Sequence, residues 1–254
     1  MNNKQVPNYK TQEFFPKKNK YCLVIPVINE GERIQKELAD LKPYSKQIDI
    51  VLADGGSTDG SVKPSFVKKM GVRTLITSPM GQARQYRCAF DFALKQGYEG
   101  IITIDGNHKD DVSALPKFIQ ALDEGYDYVQ SSRFIKGGKH KNTPTDRVAF
   151  NRYLISPVLS LAAKKWYSDT PNAFRAYSAK YLLHPQVKPF RDIFERYEML
   201  WYLTIRCNQL GLKSKEVPVS RGYPKDHVPT KIVGWKRVND MLNLCKIVLG
   251  FYNP

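Results

Sequence analysis

From residue 20 to about 132, short apolar runs alternate with stretches whose apolar positions recur every three to four residues. The runs predict five strands: 21–25, 48–52, 72–76, 101–104 and 126–129. Between the third and fourth, Tyr86, Ala89, Phe90, Ala93 and Leu94 fall at helical spacing before Gly97, and Leu115, Phe118, Ile119 and Leu122 do the same before Gly125. Both patterns predict amphipathic helices stopped by glycine. Strands alternating with helices imply an α/β fold, a Rossmann-like and mostly parallel sheet flanked by helices.

After residue 132 the pattern changes. A Gly/Lys-rich loop (136–144) precedes a predicted helix over 147–166, a strand at 173–177, a helix over 194–210 stopped by Gly211, a strand over 213–219 and a final helix over 235–249. No repeat or long linker intervenes, so residues 20–254 read as one domain, with residues 20–132 and 133–254 as its halves. Residues 1–19 are polar and lysine-bearing and are expected to form a flexible arm. A chain of 254 residues, 42% of them hydrophobic, is long enough for one large core.

Charge separates the halves. The formal net charge is +16, and residues 131–254 hold 22 basic side chains against 8 acidic ones. Such a half implies a phosphorylated or polyanionic partner. The interleaved aromatics of an RNA-binding motif are missing, so nucleic acid is not expected. No apolar run approaches a membrane span and the first residues contain no secretory signal, which places the protein on the cytoplasmic side, with peripheral contact to an anionic membrane surface. The stripe Val238, Met241, Leu242, Cys245 and Leu249 would lie near that surface. Four scattered cysteines suggest reduced thiols rather than disulfides or a zinc site.

Two predicted strands end in a carboxylate followed by glycine, Asp54-Gly55-Gly56 and Asp105-Gly106. In an open parallel sheet ligands bind beyond the carboxyl ends of the strands, so both aspartates point toward one crevice of nucleotide-binding type. Together with Pro26-Val27-Ile28-Asn29-Glu30 and Asp105-Gly106-Asn107, this order of motifs resembles the inverting family-two glycosyltransferases of the GT-A fold. The resemblance implies that Pro26, Asn29, Glu30 and Asp54 hold the base and ribose of a nucleoside-diphosphate sugar of UDP or GDP type. It implies too that Asp105 and Asn107 bind Mg²⁺ or Mn²⁺ at the diphosphate, Asn107 standing where relatives carry a second Asp, and that Asp105 serves catalysis. Many relatives have an Asp at Gly55. Lys109 is suited to assist diphosphate departure as a cation. Gly81, Gln82 and Arg84 open a helix in the place of the segment that lines the donor site.

The second half resembles the dolichol-phosphate mannose synthases and related polyprenyl-phosphate glycosyltransferases through Ser131-Ser132-Arg133-Phe134, Arg147 and Asp169-Thr170-Pro171-Asn172-Ala173-Phe174-Arg175. This implies a phosphate-bearing lipid or glycan acceptor, gripped by Arg133 and Arg147, with Arg175, Lys225 and Lys231 contributing. A phosphate acceptor needs no strong base. A sugar-hydroxyl acceptor would need one, for which Asp169 and then Glu198 are the candidates. A non-catalytic basic binding module is the reading from another class.

Overall fold

The computed structural model describes residues 4–223 and 235–254. The strands are β1 (Lys10–Glu13), β2 (Tyr21–Val27), β3 (Asp49–Asp54), β4 (Val72–Thr77), β5 (Gly100–Thr103), β6 (Tyr128–Ser132), β7 (Lys139–Lys141), β8 (Arg175–Ser178), β9 (Ser214–Pro218) and β10 (Ser220–Gly222). The helices are α1 (Glu32–Leu41), α2 (Pro64–Lys69), α3 (Gln82–Lys95), α4 (Leu115–Asp123), α5 (Thr145–Phe150), α6 (Ser156–Ala163), α7 (Ala179–Leu182), α8 (Glu198–Gln209) and α9 (Trp235–Val248). Every predicted strand and helix has its counterpart here. The glycines after α3 and α4 take the positive φ expected of a helix stop, 73° at Gly97 and 81° at Gly125.

Among the described residues the main sheet runs β1-β4-β3-β2-β5-β8-β6-β9. Strands β4, β3, β2 and β5 are mutually parallel, as are β6 and β9, while β8 lies antiparallel between β5 and β6. β3 is buried along its whole length, as a strand covered on both faces must be. Alternate residues feed two cores. Cys22, Val24, Val51 and Ala53 face α3, α6 and α8 through Tyr86, Phe90, Leu159 and Leu203. Leu23, Ile25, Ile50 and Leu52 face α1 and α4 through Ile34, Leu38, Leu115 and Phe118.

Two expectations are corrected. The arm at 1–19 is not loose along its length: Lys10–Glu13 pair antiparallel with β4, the Gln5 amide donates to the Phe190 carbonyl, and Val6 and Tyr9 pack against the core. The two stretches 20–132 and 133–254 of the one domain share the main sheet, since β8 and β9 from the second complete the order around β5 and β6. The helix expected over 147–166 is interrupted by a π-helical turn at Asn151–Ile155, which joins α5 to α6.

Candidate active site

The carboxyl ends of β2, β3, β5, β6 and β9 open at one edge of the sheet. At the donor end, Asp54 is 6% exposed and its Oδ1 accepts the Ser57 amide at 2.9 Å, the turn that Asp-Gly-Gly-Ser allows. Asn29 sits at φ 48° and spends its side-chain oxygen on the Thr58 amide, so it clamps the two loops together. Glu30 is ion-paired with Arg33 at 2.7 Å. A Cβ at Gly55 would lie 3.2 Å from the Gln85 side chain, whose amide donates to the Val27 and Ala53 carbonyls at 2.9 and 2.7 Å. Gln85 therefore fills the space that an Asp at position 55 would need.

Beyond β5, Asp105 is surrounded by donors: Gln82 Nε2 at 3.4 Å, Asn107 Nδ2 at 3.3 Å and Arg221 Nη2 at 3.2 Å. The other guanidinium nitrogen of Arg221 bonds Asp110, which is wholly buried. Burial alone would lower the pKa of Arg221, but Asp110 and Asp105 reverse the sign and hold it above the usual arginine value. The loop is pinned to α1: the His108 amide donates to Glu37 Oε2 at 2.8 Å, and the His108 ring meets Asp40 at 2.8 Å. Burial raises Glu37 well above its ordinary 4.5, against the lowering effect of that amide.

The residues at Asp105 fit a hard divalent cation. Asn107 Oδ1, Gln82 Oε1 and Asp110 Oδ1 are buried without a hydrogen-bond partner, so oxygen donors are held unspent beside a carboxylate. Among the described residues no group of three or more His, Cys, Asp or Glu side chains forms a cage. Such an ion would therefore take its remaining ligands from outside the protein, as Mg²⁺ does with substrate phosphates.

Arg133 and Asp169 form a buried pair, with side-chain exposures of 3% and 0%. Both carboxylate oxygens are taken, by Arg133 Nε and Nη2 at 2.7 Å and by the Arg133 amide at 3.1 Å. Asp169, a candidate base, and Arg133, a candidate phosphate grip, are thus committed to each other in this structure. Glu198 is committed likewise, since its Oε1 caps the amides of Glu195 and Arg196. Arg175 is fully buried and binds the carbonyls of Thr170, Asn172 and Leu200, so it anchors the 169–172 turn and is not an acceptor ligand. Arg84 pairs with Glu195 at 3.4 Å on the surface. Gly81 starts α3 at φ 131°, and Pro26 lies in β2 beside Ala53. Lys225 and Lys231 lie outside the described residues.

Arg147 does reach the site. It lies with Lys109 and Arg221 around the ring of Tyr223. Burial lowers Lys109, with Arg221 adding to the effect, and although burial alone would raise the Tyr223 phenol, Arg221, Lys109 and Arg147 bring it below its usual value. Arg221, Tyr223, Asp110, Glu37 and Gln85 were not among the sequence candidates. Arg221 follows the predicted strand 213–219 and was legible as a charge at a strand end. The others show only when distant segments meet.

The structure is thus a doubly covered α/β sheet with carboxylates and a cluster of cations at its carboxyl edge. The chain belongs to glycosyl transferase family 2, whose sequence model matches residues 22–184. It is 27% identical over 139 residues to the polyprenol monophosphomannose synthase of Mycolicibacterium smegmatis, covering 51% of each chain. It is 26% identical over 202 residues to the undecaprenyl-phosphate mannosyltransferase of Micrococcus luteus, covering 78% of this chain and 81% of that one. The chain thus spans about half the length of the first relative. The fold matches glucosyl-3-phosphoglycerate synthase from Mycobacterium tuberculosis, crystallised with Mn²⁺, UDP and glucosyl-3-phosphoglycerate, at a TM-score of 0.66 and 17% identity over 90% of this chain and 79% of that chain.

Proposed function

We propose that the chain transfers a sugar, with inversion, from a UDP- or GDP-type nucleoside-diphosphate sugar to the phosphate of a polyprenyl phosphate. The observation that carries this reading is the meeting of Asp54, Asp105 and the cations Lys109, Arg147 and Arg221 at one sheet edge. The polyprenyl-phosphate chemistry in the names of the two relatives supports it.

A phosphate monoester with a second pKa of about 6 is already anionic near neutral pH, so its oxygen attacks the anomeric carbon without a protein base. This agrees with Asp169 and Glu198 being spent on structure. The anomeric bond to the diphosphate breaks as the new bond forms on the opposite face, and the nucleoside diphosphate leaves with the electron pair. Asp54 would orient the nucleoside end, while Arg221 and Lys109 face the charge growing on the departing diphosphate. Asp105, Asn107 and Gln82 would hold Mg²⁺ or Mn²⁺, which when bound supplies further charge neutralisation there.

Among the described residues no helix is long and apolar enough to cross a membrane. The segment α5 to α6 and the turn after it nevertheless expose Phe150, Tyr153, Leu154, Leu161 and Trp166, flanked by Arg152, Lys164 and Lys165. An apolar stripe edged by cations suits the surface of an anionic bilayer, where a lipid acceptor resides. On α9, Leu242, Cys245 and Leu249 are exposed while Met241 packs on the core; the side chain of Val238 lies outside the described residues.

Calorimetry with UDP, GDP and CDP, followed by transfer assays to a short polyprenyl phosphate, tests the reading. Asp54→Ala is expected to weaken nucleotide binding at least tenfold, about 1.4 kcal/mol. Arg147→Ala is expected to abolish transfer while nucleotide binding stays. Transfer to a neutral glycan with a harmless Arg147→Ala would overturn the phosphate acceptor.

A further inference from the structure

Three cations converge on one aromatic ring. Lys109 Nζ lies 4.6 Å from the centroid of Tyr223, Arg147 Cζ 5.7 Å and Arg221 Cζ 6.0 Å. The ring is placed by hydrogen bonds to two segments, the loop after β5 and the end of β7. The Gly222 amide donates to the Lys109 carbonyl at 2.8 Å, the Tyr223 amide to the Lys141 carbonyl at 2.9 Å, and Asn142 Nδ2 to the Tyr223 carbonyl at 3.1 Å. Tyr223 therefore stands at the seam between the loop after β5 and the lysine strand β7, with Arg147 reaching it from α5.

The charges around it are unequally satisfied. Arg221 is paired with Asp105 and Asp110, whereas among the described residues neither Lys109 nor Arg147 forms an ion pair with a carboxylate. Like charges do not gather on a protein surface without a reason. A carboxylate at this point would gather them but cancel the charge, and would compete with any incoming anion. An aromatic face attracts cations through its quadrupole and carries no net charge, so the cluster it holds stays positive.

We propose that Tyr223 is a positioning residue whose ring face gathers Lys109, Arg147 and Arg221 into a subsite for a phosphoryl dianion beside Asp105. The subsite itself requires only a phosphate ligand, and the identification of that phosphate as the acceptor's rests on the function proposed above. Because Arg221 touches Asp105 and Arg147 does not, the ring fixes the spacing between the diphosphate side of the crevice and the acceptor side. Arg147 also meets the phenol oxygen, a contact that Tyr223→Phe separates from the ring face.

The full chain is titrated with inorganic phosphate and with a short-chain prenyl phosphate, using prenyl alcohol as the uncharged control, and kcat and KM for the prenyl phosphate are measured separately. Tyr223→Phe keeps the ring and is expected to stay within about threefold of wild type. Tyr223→Leu is expected to weaken both phosphates at least tenfold and to raise KM more than it lowers kcat, with thermal unfolding verifying that the chain is folded. Lys109→Gln leaves the ring in place and reads the same subsite from another wall, so it decides the matter where Tyr223→Leu does not fold; a loss of phosphate affinity of at least tenfold is expected. Wild-type phosphate affinity in a folded Tyr223→Leu, or in Lys109→Gln where Tyr223→Leu does not fold, or a Tyr223→Phe as impaired as Tyr223→Leu, overturns the proposal. Binding of inorganic phosphate without prenyl phosphate upholds the subsite and defeats the lipid acceptor. No phosphate binding by the wild type overturns the subsite, while sugar transfer measured separately judges the function.

Discussion

Arg133 and Asp169 show how a residue of the right type can be committed elsewhere. Each is buried against the other, so removing one strands a charge in the interior. Asp169→Ala is expected to cost about 3–5 kcal/mol in urea unfolding, the range for breaking a buried pair from one side. A base free of structural duty would lower kcat with stability unchanged, and that result would restore Asp169 to the chemistry. Glu37 gives a different signature. Burial raises its pKa, so the folded state retains a proton that the unfolded state gives up near 4.5. Its contribution is fully present below that pH and is lost as pH rises through the folded value. Glu37→Gln, which still accepts the His108 amide, should therefore flatten the decline, matching wild type near pH 4 and exceeding it in denaturant titrations near pH 8. At Asp105, Asn107→Asp returns a second carboxylate and should tighten Mn²⁺ at least tenfold, about 1.4 kcal/mol, in a paramagnetic-resonance titration. Asp54, Asp105 and Arg147 could be singled out as candidates because their types declare their chemistry. Gln85 and Tyr223 were not, since their meaning lies in which distant backbone or cation they meet.

Elements were legible where an apolar period ran long enough. The stripe of α3 and the valine and isoleucine runs of β2 to β5 could hardly form anything else. β1 had no such period: all four residues of Lys10–Glu13 are exposed, and the strand exists because β4 offers an open edge. The π turn between α5 and α6 escaped for a related reason, as a helical period cannot reveal one added residue. That turn lies within the stripe that exposes Tyr153, at 76%, and Leu161, at 81%. Tyr153→Asp with Leu161→Asp should leave thermal stability within about 0.5 kcal/mol, because neither side chain is in the core. The same pair should greatly weaken cosedimentation with vesicles containing anionic lipid. Retained vesicle binding would remove this face from the membrane.

Over the whole molecule, the uneven charge and the sheet order act together. Parallel strands send their carboxyl ends to one edge, so the acidic donor end and the basic second half meet there without a domain boundary. The charge excess was visible in the sequence, but its concentration around Tyr223 required the fold. Attraction to anionic vesicles is expected to fall as salt rises, since exposed charges are screened beyond about 8 Å at physiological ionic strength. Unchanged partitioning between low and high salt would leave the apolar stripe as the sole contact.

The antiparallel insertion of β8 has a bearing on how the chain is made. β5 ends at Thr103 and β6 begins at Tyr128, with 24 residues between them, yet they do not pair with each other; each pairs with β8, which begins only at Arg175. A nascent chain that has emerged as far as residue 132 holds β4, β3, β2 and β5 in their final order and leaves β6 with neither neighbour. The donor side can thus form while the polypeptide is still being translated, but the edge that joins it to the acceptor side waits for four residues from the later half. Until Arg175–Ser178 arrive, the edge proposed to take the nucleotide has no strand tying it to the proposed acceptor side.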